Sequence, residues 1–160
     1  AAQARLTGAD LTGVVIDRTG AVLPSSLVTV VNVATNLSRE SLTDAEGRYW
    51  FRSIRPTFYP VPSDGPVGRM LRKMGRHPFR PGHIHMIVSA PGHLPVTTHL
   101  FVADSEYLDT DAVFGMKESL VARFNRQPAG KAPTGEIVDV PFYTVEYDSR
   151  LRRAAASAAA

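Results

Sequence analysis

The sequence predicts an all-β protein, a β-sandwich of about seven or more short, mostly antiparallel strands with one long Pro/Gly-rich loop of the kind that carries active sites. Three observations predict it. Twelve Gly and twelve Pro punctuate 160 residues, too densely for a helix bundle. The apolar stretches are short, rich in β-branched residues and partly alternating. Hydrophobic residues make up 44% and charged residues 21%, close to the globular average, so a packed core is expected. The length suits one domain. Residues 1–153 are assigned to it, and the Ala-rich stretch 154–160 is read as a tail without fold information.

Residues 11–17 read as a strand, with Arg18-Thr-Gly20 as its turn. Residues 27–33 are a second, β-branched strand, and 36–42 a short connection. Thr43-Asp-Ala-Glu-Gly47 is a turn into a third strand, 48–54, whose alternation puts Tyr49, Phe51 and Ser53 on one face. Regular structure fades over 55–82, where six prolines lie among Gly65, Gly68, Gly75 and Gly82. Only 67–74 could make a short helix there. Loops this long inside a domain are usually functional. Strands resume at 83–90 and 96–102, around the turn Pro91-Gly-His93. Residues 107–114 read as a short helical turn, and 118–124 and 141–147 most easily as strands.

Cysteine is absent. That excludes a disulfide framework, a thiolate zinc site, an iron–sulfur cluster and a cysteine nucleophile. Any metal must be held by His, Tyr, Asp or Glu. No apolar run reaches the length of about eighteen residues that a membrane span needs, and no intact signal peptide opens the chain. The expected location is cytoplasmic, with a periplasmic one left open by Ala1-Ala2-Gln3, which would also fit a cleaved leader. The net charge of +3 is concentrated. Arg69, Arg72, Lys73, Arg76 and Arg80 lie in one stretch without an acid, while the other 13 basic residues face 15 acidic ones. This patch is either a solvated loop face or an attractor of an anionic substrate. No stacking aromatics interleave it, so nucleic acid is not expected as a partner. Asp104, Glu106, Asp109 and Asp111 could balance it, within the fold or across an interface.

The stretch that could do chemistry is Arg80-Pro-Gly-His83-Ile-His85. Histidines at i and i+2 on a strand share a face, which is how a strand offers two imidazoles to one metal. A hydrogen-bonded structural pair is the competing reading. Tyr59 sits in the proline-flanked segment Phe58-Tyr-Pro-Val-Pro62 at the far end of the same loop. It is either a packing residue or a phenolate donor, and a phenolate beside imidazoles suits ferric iron.

Several stretches carry a resemblance to a known family. They are Thr43-Asp-Ala-Glu-Gly-Arg-Tyr-Trp-Phe-Arg-Ser-Ile54, Phe58-Tyr-Pro-Val-Pro-Ser-Asp-Gly-Pro66, Gly75-Arg-His-Pro-Phe-Arg-Pro-Gly-His-Ile-His85 and Val88-Ser-Ala-Pro-Gly-His93. Together they resemble the intradiol ring-cleavage dioxygenases. The stretches from Thr97 to Val102, Tyr107 to Val121 and Pro141 to Asp148 are most similar to the hydroxyquinol 1,2-dioxygenase branch. The resemblance covers residues 43–148. It implies a β-sandwich enzyme with one non-haem Fe(III), held in the family by two tyrosines and two histidines. Residue by residue, it implies Tyr59, His83 and His85 as metal ligands, and Arg80 and His99 as the catalytic candidates. Arg80 would stabilise negative charge on the bound substrate. His99 falls where catechol-cleaving relatives often have glutamine, so it is read either as a hydrogen-bonding residue near the metal or as structural.

The resemblance also implies departures. The family's first tyrosine ligand lies in a longer insertion between the strand matching 28–33 and the turn matching 44–47. Here residues 34–43 fill that gap without a tyrosine. The family's helical N-terminal dimerisation region has no counterpart. Residues 6–49 also resemble carboxypeptidase-regulatory-like β-sandwich modules, which end in the same Thr-Asp-Ala-x-Gly-x-Tyr turn, so a hybrid junction near 36–47 is one expectation. The implied reaction opens a catechol-type ring with dioxygen, hydroxyquinol to maleylacetate or catechol to muconate. The expected partners are a small aromatic diol or triol and dioxygen, with a homo-oligomer left open. The alternative is a non-catalytic binding or interaction module of the carboxypeptidase-regulatory-like type.

Overall fold

The computed structural model describes residues 8–32 and 37–155. In chain order the strands are β1 (Gly8–Asp17), β2 (Leu27–Asn32), β3 (Leu37–Leu42), β4 (Arg48–Ile54) and β5 (Tyr59–Pro60). Helix α1 (Pro66–Lys73) follows, then β6 (Phe79–Arg80), β7 (His83–Ser89), β8 (His93–Leu94) and β9 (Val96–Val102). Two short 3-10 turns, Leu108–Thr110 and Glu118–Leu120, lead to β10 (Val121–Ala122), β11 (Asn125–Gln127), β12 (Gly130–Lys131), β13 (Ile137–Val138), β14 (Phe142–Glu146) and β15 (Ser149–Arg153). Among the described residues no helix is long and apolar enough to cross a membrane.

Two sheets face each other. The first runs β11-β14-β1-β15-β8, with β4 on the other side of β1. The second runs β10-β9-β7-β2-β3. Pairing is mostly antiparallel, but β14 and β15 lie parallel to β1. Their registers, Thr12 to Glu146 and Val15 to Ser149, are continuous. The two therefore act as one strand broken at Tyr147 and Asp148. The break is satisfied: Tyr147 N donates to Thr12 O (2.9 Å), and Val14 N donates to the Asp148 carboxylate (2.9 Å). The Tyr49 hydroxyl donates to Tyr147 O. Gly13 permits this, because a Cβ there would meet that carbonyl and lie 2.7 Å from the Tyr49 hydroxyl.

The core is the alternation of both sheets interleaved. Ala9, Leu11, Val15, Tyr49, Phe51, Val145 and Leu151 come from the first sheet. Val28, Val30, Ile84, Met86, Val88, Leu100 and Val102 come from the second. Each large apolar side chain fully buried this way contributes about 1.5–3 kcal/mol.

Residues 36–42, expected as a connection, are corrected: 37–42 form β3, paired residue for residue with β2. Almost all of β3 is exposed, so it has no buried face to write an apolar pattern. Backbone pairing holds it, with Arg39 donating to Arg52 O (2.8 Å). Position 36 and the expected strand end at 33 lie outside the described residues, as does most of the tail. Residues 118–124 are also corrected, to a 3-10 turn followed by the two-residue β10. The expected helix at 67–74 is α1, with Pro66 in its first turn and Gly75 at φ 65° just past its end.

Candidate metal centre and active site

The long loop is an arm with a ribbon base. β5 and β6 pair antiparallel, setting Tyr59 opposite Arg80. Val61 N donates to Pro78 O (2.9 Å), and α1 forms the tip. An aromatic cluster fixes the arm to the segment after β9. Phe79 stacks on Tyr107 (4.8 Å), and Phe58 meets both edge-on.

β7 then carries the histidines. Ile84, Met86 and Val88 face the core, so His83 and His85 share the opposite face. β9 runs antiparallel beside β7 and sets His99 directly across from His85. Ring centroids are 5.0 Å apart for His83–His85 and His83–His99, and 4.3 Å for His85–His99. Phe101, fully buried, lies beside His83 and His99. The His83 Nδ1 lies 2.8 Å from Pro81 O. A carbonyl only accepts, so Nδ1 carries the proton and Nε2 presents a lone pair. That Nε2 is 3.2 Å from His85 Nε2. Two nitrogens on one metal at about 2.1 Å stand about 3.0–3.4 Å apart, so the pair has the spacing of shared ligands.

Arg80 is buried and ion-paired to buried Asp111 through Nε (3.1 Å) and Nη2 (3.3 Å). Asp111 also accepts from the N–H groups of Val113 (3.3 Å) and Gly115 (2.9 Å). Burial disfavours the guanidinium charge, but Asp111, with help from Tyr59, more than restores it, so Arg80 titrates above its ordinary range. Its Nη1 lies 3.4 Å from His83 Nε2. Gly115 leaves room for this pair: an added Cβ would stand 2.9 Å from Arg80 Nη2 and 3.2 Å from the Asp111 carboxylate.

Burial is the leading reason that all three histidines titrate low. His85 is pushed down to about 4, with further help from the positive charge His99, His83 and Arg80 can carry. His83 is lowered by burial and by Arg80, against the Pro81 carbonyl. His99 is lowered by burial and then by Arg80. Near neutral pH the three rings are therefore neutral, the state a metal needs. Tyr59 lies against His83 at 5.6 Å between ring centroids and is 39% exposed, so it is accessible from solvent.

The structure thus brings together all five residues singled out in the sequence, Tyr59, Arg80, His83, His85 and His99. The sequence groups Asp111 only with the acids that could balance the basic patch. Its link to Arg80 spans 31 residues and has no local signature. The basic patch is partly consumed by the fold: Arg80 is buried, and Arg76 donates to Asp111 O (2.8 Å) and covers the Phe114 ring. Grooves of about 600 Å³ beside Gln127, Lys131 and Phe142, and about 470 Å³ beside Arg18, Arg150 and Arg152, contain no histidine or tyrosine. The chemistry is concentrated at the arm and β7/β9.

Residues 31–152 match the family model described as dioxygenase. The chain is 49% identical over 119 residues to the hydroxyquinol 1,2-dioxygenase of Rhizobium sp. (strain MTP-10005), covering 74% of this chain and 40% of that protein. It is 51% identical over 108 residues to the hydroxyquinol 1,2-dioxygenase of Nocardioides simplex, covering 67% of this chain and 37% of that one. The crystal structure of hydroxyquinol 1,2-dioxygenase from Pseudomonas putida DLL-E4 superposes with a TM-score of 0.85 at 32% identity, over 92% of this chain and 57% of that one. The chain therefore spans 40% or less of the length of these two curated relatives.

Proposed function

The chain belongs to the intradiol ring-cleavage dioxygenase family, and from that premise we propose that it opens the ring of a catechol-type diol or triol with dioxygen. Hydroxyquinol giving maleylacetate is the favoured case, since the relatives described above carry that substrate in their names. Catechol giving muconate is the simpler one. In either, the bond between two adjacent hydroxylated ring carbons breaks and both atoms of dioxygen enter the diacid product.

One observation carries the reading. The ribbon pairing Tyr59 with Arg80 closes against the strand bearing His83 and His85, so a phenol, a guanidinium and two imidazoles from separate elements converge. This family uses non-haem iron. The donor set fits one metal ion, with the 3.2 Å nitrogen spacing, the proton of His83 fixed on Nδ1, and a phenol at their side. Tyr59, His83 and His85 would hold it. When bound, ferric iron supplies an acceptor of electron density from a substrate chelated through two adjacent phenolic oxygens.

The remaining work belongs to the chain. Arg80 keeps its charge in a buried setting because Asp111 neutralises its far side, leaving Nη1 aimed at the cluster. There it stabilises negative charge as it develops on the substrate oxygens. Phe101 backs the His83 and His99 rings and excludes water behind them. The Phe58, Phe79 and Tyr107 cluster holds the arm, and so Tyr59, in place.

The test is optical and chemical. Protein loaded with ferric iron should show a visible tyrosinate charge-transfer band, and hydroxyquinol or catechol should change it with uptake of dioxygen. Tyr59→Phe should remove the band while iron is still bound. A colourless ferric protein that ignores both substrates would refute the reading.

A further inference from the structure

We propose that His99 is itself a metal ligand, so that His83, His85 and His99 form a three-imidazole face with Tyr59 as its one anionic donor. This rests on reading Tyr59, His83 and His85 as a metal site and changes that site's donor set.

Geometry comes first. One ring nitrogen from each of the three histidines can be chosen so that all lie within 4.8 Å of one another. Ligand atoms on one ion at about 2.1 Å stand about 3.0–4.2 Å apart, so binding would draw the three rings slightly together. The placement comes from the backbone: His99 is the ladder partner of His85, and His83 is two residues along the same face. The second argument is what His99 otherwise does. Among the described residues its half-buried ring has contacts with His83, His85 and Phe101, but no hydrogen-bond partner for either nitrogen. Neither nitrogen is committed to a partner within the fold, so the ring can offer a lone pair to a metal ion.

The third argument is need. Tyr59, His83 and His85 give three donors, and a closed protein site takes four. The other four tyrosines of the chain are engaged elsewhere. Tyr49 donates to Tyr147 O, and Tyr147 to Ser119 O at 3.4 Å. Tyr107 is stacked on Phe79, and the Tyr143 ring lies under Arg55. None replaces the tyrosinate that is absent between β2 and β4, whereas His99 already faces the site. Three neutral nitrogens and one phenolate carry one negative charge fewer than a two-phenolate set. The site should therefore hold divalent ions such as zinc well, imidazole being a good ligand for them.

The experiment uses the full chain, stripped of metal with a chelator and titrated with Zn(II) alone, followed by nitrogen NMR of labelled histidine. Zinc should bind one per chain and shift ring-nitrogen signals of three of the five histidines, His83, His85 and His99, leaving His77 and His93 unmoved. His99→Gln should weaken zinc binding by about 100-fold or more, at or beyond the upper end of what loss of a mere supporting group costs. If His83 and His85 shift while His99 does not, and His99→Gln binds zinc as the parent does, the inference is overturned and the Tyr59, His83, His85 site stands. If no histidine shifts and no zinc is taken up, that site reading fails as well.

Discussion

Asp10 on β1 and the histidines of β7 and β9 occupy comparable places, each pointing away from the core of its own sheet. Asp10 is almost fully buried and accepts from Arg52 Nε (2.9 Å) and Nη2 (3.2 Å), with Glu136 on the other arm of that guanidinium (2.6 Å). Its charge is answered by the fold. His83, His85 and His99 instead gather like groups whose nitrogens face one another. Strand periodicity puts side chains on one face in both sheets. Whether that face is structural or available for chemistry depends on whether its polar groups already have complementary partners.

The sharpest way to test this contrast is His83→Ala. It should reduce metal uptake by about 100-fold or more while circular dichroism and thermal stability hold, because the ring does not enter the core. Loss of the fold instead would mean that the histidine face is structural after all. Asp111→Ala should cost about 3–5 kcal/mol, measured by denaturant unfolding, because it strands a buried guanidinium. The same pair sets an acid limit. Burial raises the Asp111 pKa, but Arg80 and the N–H groups of Val113 and Gly115 outweigh it, leaving the carboxyl below its ordinary 3.8. Its contribution is thus fully present above that value and lost as pH falls below it. Asp111→Asn should flatten that acid limb, and an unchanged slope would refute the assignment. On the first sheet, Asp10→Asn should cost about 1–2 kcal/mol, since Arg52 keeps a neutral acceptor. Glu136→Ala should cost about 0.5 kcal/mol or less, because that carboxylate is exposed. A larger loss at Glu136 than at Asp10 would reverse the ranking of the two arms.

The strands with alternating burial were legible. Residues 48–54 and 96–102 fall on the bounds expected, because Tyr49 and Phe51, or Leu100 and Val102, write the core face directly. The His83/His85 pair was legible for the same reason. β3 was not, having nothing buried to reveal it. Nor was β15, whose Ser-Arg-Leu-Arg-Arg run offers only Leu151 as a large apolar core residue. In the site, the pairing of Tyr59 with Arg80 rests on a two-residue ribbon, too short to leave a period. The closeness of His99 to His85 is a property of register between β7 and β9, which no spacing within one strand encodes. Asp111 was visible as one of four acids that could balance the basic patch, but its pairing with Arg80 in particular was not, since that link is made only when the arm closes.

The broken strand formed by β14 and β15 has a consequence for how the molecule is made. β1 emerges during synthesis well before β14 and β15, yet one whole edge of it pairs with those residues, 134 positions later. β4 can close the other edge early, from about forty residues away. Until β14 and β15 are synthesised, β1 presents a row of unanswered amides and carbonyls on that edge. Such an edge invites pairing with any other strand, and closure over so long a separation is slow. The nascent protein is thus most vulnerable to aggregation just before β14 and β15 arrive.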